Sequence, residues 1–301
     1  MFNGLSAFPL TPLVNSTVDE KAFTALIERL AASQVDAIGA LGSTGSYAYL
    51  SVAERARVAR VARLATRAAG EVPVVVSIGA VKIDEVLRLA DDAQQAGVSG
   101  LLMAPVSYQP LNRDEVYRLY ERVSQAVTVP LCVYDNPATT RFAFDDELLI
   151  AVCQLPHIGS LKLGPLSGTR AEASARLTAL RQAIPAHITL GISGDAHAAA
   201  GLLAGCDVWY SVLAGLFPHT ARALADAALQ GREEEVNRLN AALAPLWALF
   251  QRYGSLRPIA TLAELSGAVQ SPCLPFPLRT LQGEDRAQLA ALLAGPALAP
   301  H

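Results

Sequence analysis

The feature that most constrains this chain is an alternation. Eight short apolar runs, each followed by a segment of helical periodicity, fill about its first 230 residues. The runs are Gly4–Phe8, Ala37–Leu41, Val72–Ser77, Leu101–Ala104, Leu131–Tyr134, Ile158–Gly164, Ile188–Ile192 and Val208–Val212. Val72–Ser77 is apolar almost throughout, which suits a parallel strand covered on both faces. Between the runs the spacing predicts helices over Asp19–Ser33, from Ser51 as cap to Ala69, Ile83–Gln95, Arg113–Ala126, Asp145–Gln154 and Arg170–Ala183. A further helix reaches Ala204, Asp195 reads as its N-cap, and another starts at Pro218. Eight such units fit a (β/α)8 barrel over residues 1–230 better than a doubly wound sheet. Residues 231–301 read as a helical C-terminal extension, broken at Gly254, Gly267 and Ser271–Pro277. The last eight residues, Ala294–His301, are expected to fray.

Composition narrows the function classes. With 301 residues, 17% of them charged and a net charge of −3, the chain offers no basic surface for nucleic acid or an anionic membrane. Arg55, Arg57, Arg60 and Arg63 read as a solvated helix face. No run of about 18 apolar residues is present, so no membrane span is expected. The N-terminus lacks a basic region leading into an apolar core, so no signal peptide is expected. Cys132, Cys153, Cys206 and Cys273 have no metal-ligand spacing and read as reduced thiols of a cytoplasmic protein. His157, His187, His197 and His219 do not cluster either, and read as surface or helix-end residues; no metal is expected.

One residue is out of keeping with its run. The chain has only three lysines, Lys21, Lys82 and Lys162. The first two fall at helix starts beside acidic neighbours and read as solvated. Lys162 lies inside Ile-Gly-Ser-Leu-Lys-Leu-Gly, a buried strand by its pattern. An ammonium there costs several kcal/mol unless paired, and the usual relief is loss of the proton. A neutral lysine amine is a nucleophile for carbonyl carbons. The alternative is a side chain that snorkels out from the strand end.

In a barrel of this kind the active site lies at the C-terminal ends of the strands. Four polar features fall there. Gly42-Ser43-Thr44-Gly45-Ser46 follows strand two, and its glycines let backbone N–H groups converge on an anion. Tyr134-Asp135-Asn136-Pro137 follows strand five, Lys162 ends strand six, and Gly191–Asp195 ends strand seven. This order of Gly-x-Thr-Gly, Tyr-x-x-Pro, strand-six lysine and Ser-Gly-Asp resembles the dihydrodipicolinate synthase / N-acetylneuraminate lyase family over roughly residues 3–290.

The resemblance implies a cofactor-independent class I lyase or aldolase that holds a 2-oxo acid, often pyruvate, as a Schiff base. It assigns the imine to Lys162 and the carboxylate to Ser43, Thr44 and Gly45. It makes Tyr134 a proton shuttle relayed by Thr44, and gives Gly191 and Ile192 to the pocket floor. The other partner is an aldehyde, and the chain is expected to be a homo-oligomer, dimer or tetramer. Three departures bear on substrate. Ser46 stands where the family usually has Glu, and Ser107, with Tyr108 beside it, stands where a relay tyrosine usually crosses a dimer interface. Thr139 occupies the position of the synthase arginine that grips a second carboxylate, with Arg141 two residues on. A dehydratase or hydratase-aldolase for a sugar acid or aromatic 2-oxo acid is therefore a second expectation. A non-catalytic 2-oxo-acid sensor or scaffold is a third.

Overall fold

A computed structural model describes residues 1–298. Eight parallel strands close into a barrel: β1 (Gly4–Ala7), β2 (Ala37–Ala40), β3 (Val74–Ser77), β4 (Gly100–Met103), β5 (Leu131–Tyr134), β6 (Ile158–Leu163), β7 (Thr189–Ser193) and β8 (Val208–Ser211). Pairing is sequential, and β1 closes the ring on β8 with Gly4 opposite Val208 and Ala7 opposite Ser211. Helices α1 (Glu20–Ala32), α2 (Val52–Ala69), α3 (Ile83–Gln95), α4 (Arg113–Ser124), α5 (Asp146–Cys153), α6 (Arg170–Ala183), α7 (Ala198–Ala204) and α8 (Pro218–Leu229) alternate with the strands. The fold is a (β/α)8 barrel. The proline-rich stretch after β1 contains a small hairpin, Leu13–Val14 against Thr17–Val18, that periodicity did not show.

Local chemistry explains the helix starts. Ser51 and Glu54 form a reciprocal capping box on α2, and Asn112 with Glu115 and Thr169 with Glu172 do the same on α4 and α6. Asp195 is no such cap. It sits in a short 3-10 turn, and its carboxylate reaches across to β8 instead. Arg55 also departs from expectation: rather than joining the solvated face, it is buried and donates to the carbonyls of Gly79 (2.9 Å) and Ser77 (3.0 Å). It is the arginine on the α2 turn that meets the open end of β3.

Two apolar regions hold the molecule together. The larger lies between strands and helices and continues into the C-terminal helices through Leu246, Trp247 and Leu262. The smaller fills the barrel with Phe2, Phe8, Val75, Leu102, Cys132, Val208 and Tyr210. Glycine on the inner wall makes room for its rings. A Cβ on Gly39 would stand 2.4 Å from the Phe8 ring, and one on Gly191 2.4 Å from that of Tyr210. The remaining helices are α9 (Glu233–Ala242), α10 (Ala244–Tyr253), α11 (Leu256–Leu265) and α12 (Gly283–Ala294). Leu298, within the segment expected to fray, is buried in a short 3-10 turn, and residues 299–301 lie outside the described residues. No helix among the described residues is long and apolar enough to cross a membrane.

Candidate active site

Strand register brings the reactive groups together. The β5–β6 pairing runs Leu131 to Ile158 and then Cys132 to Ser160, so a bulge at Gly159 resets the alternation. With Leu161 and Leu163 in the outer core, Ser160 and Lys162 face into the barrel. Tyr134 lies opposite Lys162, and Lys162 opposite Gly191.

The amine of Lys162 is enclosed by aromatic rings. Its Nζ lies 3.8 Å from the centroid of Phe8, 4.0 Å from that of Tyr134 and 5.4 Å from that of Tyr210. Only 5% of the residue is exposed. Two effects oppose each other on the proton. Aromatic faces attract a desolvated ammonium by about 2 kcal/mol or more. Removing that ammonium from water costs several. Burial wins, and it lowers the Lys162 amine from its ordinary value to about 7, with Cys132 and Asp195 acting weakly the other way. Asp195 gives no ion pair, because its oxygens already accept from Trp209 Nε1 (2.9 Å), Val212 N (3.1 Å) and Leu213 N (2.6 Å). Burial also raises the Asp195 carboxyl to about 6, which those three donors partly offset. Below the lysine, Tyr210 Oη sits 2.6 Å from Ser160 Oγ, which fixes the ring that floors the site.

A cavity of about 330 Å³ opens above Lys162, at the low end of the range for small-molecule sites. Ser43, Thr44 and Tyr134 line it with the lysine. Burial raises the Tyr134 phenol, so it holds its proton near neutral pH, and the hydroxyls of Ser193 and Ser43 act on it in the opposite sense. Both Ser43 and Thr44 of the strand-two loop share the cavity with the phenol.

Other expected site residues fall elsewhere. Gly191 is inside the barrel beneath the cavity, and Ile192 packs outward against Gly201. β7 continues to Ser193, and Ser193 and Gly194 line the cavity. Gly45 forms the tight turn behind the loop, where a Cβ would stand 2.9 Å from Leu41 Cα. The Ser107 hydroxyl donates to the Gln109 carbonyl, and Tyr108 is 85% exposed. Pro137 opens a single helical turn, Pro137–Thr140. Thr139 on that turn is exposed and donates to Asn136 O (3.4 Å), and the exposed Arg141 ends it; neither lines the cavity. Sequence reasoning missed Phe8, Tyr210, Phe250, Gln251 and Ser255, all of which do. Among the described residues no three His, Cys, Asp or Glu side chains are grouped to hold a metal ion.

A (β/α)8 barrel that presents a buried, unpaired amine at the C-terminal ends of its strands, beside a phenol and a hydroxyl-bearing loop, has the construction of an amine-nucleophile lyase. The model of the dihydrodipicolinate synthetase family matches residues 1–295, and the chain belongs to that family. A crystal structure of dihydrodipicolinate synthase from Agrobacterium tumefaciens superposes with a TM-score of 0.93 at 42% identity, covering 99% of this chain and 98% of that one. One of a putative dihydrodipicolinate synthetase from Pseudomonas aeruginosa gives 0.89 at 27% identity, covering 99% and 100%. The 4-hydroxy-tetrahydrodipicolinate synthase of Phenylobacterium zucineum is 30% identical over 235 residues, 77% of this chain and 76% of that one. The chain is a lyase of this family.

Proposed function

We propose that the protein is a class I lyase that binds a 2-oxo acid, pyruvate in the simplest case, as an imine on Lys162 and joins it to, or cleaves it from, an aldehyde. The observation that carries this reading is the buried amine, lowered by burial to about 7, with Tyr134 across the strand pair and Ser43 and Thr44 on the same cavity. The neutral amine attacks C2, water leaves, and the protonated imine becomes an electron sink. Loss of a proton from C3 then gives the enamine. Ser43 and Thr44 hold the carboxylate through hydroxyl and backbone N–H groups, which fixes C2 over the amine. Tyr134, protonated at rest and able both to donate and to accept, moves the proton between C3, the departing oxygen and solvent, with Ser43 as its neighbour in the relay.

The working form is proposed to be a homo-oligomer. Exposed Tyr49, Val81, Ile83 and Tyr108 follow three adjacent strands and favour a second copy there. Four unpaired cysteines suit the cytoplasm.

Exchange of the pyruvate methyl protons with deuterated solvent tests the chemistry without knowledge of the aldehyde. Enzyme-dependent loss of the methyl signal is expected, because the enamine exchanges its C3 protons. The rate should rise as pH increases through about 7, as the folded-state amine loses its proton. No exchange with any of a panel of 2-oxo acids would remove this reading.

A further inference from the structure

We propose that the outer half of the cavity selects a neutral aldehyde bearing hydroxyl groups, with Gln251, Ser255 and His197 setting the preference; this rests on the imine reading above. Among the described residues the cavity wall contains one lysine, Lys162, and that one is consumed by the 2-oxo acid. No arginine among the described residues lines it. Asp135 does, half-buried, but its carboxylate accepts from Phe144 N (3.4 Å) on the side of the strand away from Tyr134. The guanidinium that acts on it, Arg176, is committed to Asp146 through contacts of 2.6 to 3.2 Å. An aldehyde carrying its own carboxylate would therefore meet no lysine or arginine in the outer half of the cavity, which disfavours anionic partners.

The remaining polar lining has a different character. An amide at Gln251, a hydroxyl at Ser255 and an imidazole at His197 can each donate and accept, as a hydroxyl requires. Two come from the C-terminal helices. Buried Trp247 and Phe250, 5.5 Å apart, anchor α10, and Gly254 at φ +72 breaks the chain before α11. That turn sets Gln251 and Ser255 on one wall. Neither Ser255 nor His197 uses its side chain to cap the helix it precedes, which leaves both available to a ligand.

The step balances without a further reactant. Enamine C3 bonds to the aldehyde carbon, the carbonyl π pair moves to oxygen, and that oxygen takes a proton equal to the one lost from C3. One water then hydrolyses the imine and frees Lys162.

The full-length enzyme should be assayed with pyruvate and either glyceraldehyde or succinic semialdehyde, a neutral and an anionic aldehyde. The expected ratio of kcat/KM is at least about tenfold in favour of glyceraldehyde. In Gln251→Arg, and separately in Ser255→Ala, that ratio should fall by about three- to thirtyfold. Both positions lie outside the barrel wall, and folding is checked by circular dichroism. Equal or reversed preference, a ratio unmoved in both variants, or exchange of pyruvate protons with no addition to glyceraldehyde would overturn the proposal while leaving the imine intact. Loss of the exchange itself would remove both.

Discussion

Lys162→Met is expected to lose turnover and pyruvate exchange by a factor on the order of 10⁴ or more, while melting at a higher temperature than the native protein at pH 7. The loss follows from removing the one amine that lines the cavity among the described residues. The gain follows from linkage. Folding lowers the amine from 10.5 to about 7, so between those values the unfolded chain binds a proton that the folded chain does not. Stability contributed by this site therefore rises with pH across that window, and the lysine is most costly below pH 7. The cost at pH 7 is on the order of a few kcal/mol. Methionine has similar length, keeps contact with the Phe8 and Tyr134 rings and carries no charge to desolvate. Melting followed by circular dichroism from pH 6 to pH 10 should show the variant's advantage shrinking as pH rises. A variant that is destabilised equally at every pH would mean that the lysine is charged and paired in the folded protein.

Tyr134→Phe should lower kcat by about 10²- to 10⁴-fold with far less change in KM for pyruvate. The ring that packs against the amine at 4.0 Å is retained, so imine formation has the same platform. What disappears is the phenolic proton near the Ser43 and Ser193 hydroxyls. Rapid-quench trapping separates the two effects: adduct should still form, and its conversion should be slow. Equal loss of adduct and turnover would assign Tyr134 to binding rather than to proton transfer. Ser43→Ala should follow the same pattern more weakly.

The strands were legible because each apolar run is short and bounded by glycine, proline or a helix start. Lys162 was legible for the related reason that a charged side chain inside such a run demands an explanation. What escaped depended on register and on end positions. The resemblance gave Gly191 and Ile192 to the pocket floor. The strand ends at Ser193, and alternation by two sends Ile192 outward to Gly201. Phe8 and Tyr210 escaped because their place under the amine depends on Gly39 and Gly191 across the barrel, a pairing that exists only once the ring closes. Arg55 was read with its neighbours Arg57, Arg60 and Arg63, since periodicity cannot tell which turn of a helix meets a strand end. Gln251 and Ser255 lie some 90 residues beyond the lysine, in helices whose pattern reports only that they pack. The C-terminal extension thus forms part of the cavity wall.

Borohydride reduction in the presence of pyruvate, followed by peptide mass mapping, tests the central claim most directly, and three lysines make the assignment clean. A single reduced pyruvyl adduct on the peptide carrying Lys162 is the predicted result. An adduct on Lys21 or Lys82 instead, or none with any 2-oxo acid tried, would contradict it.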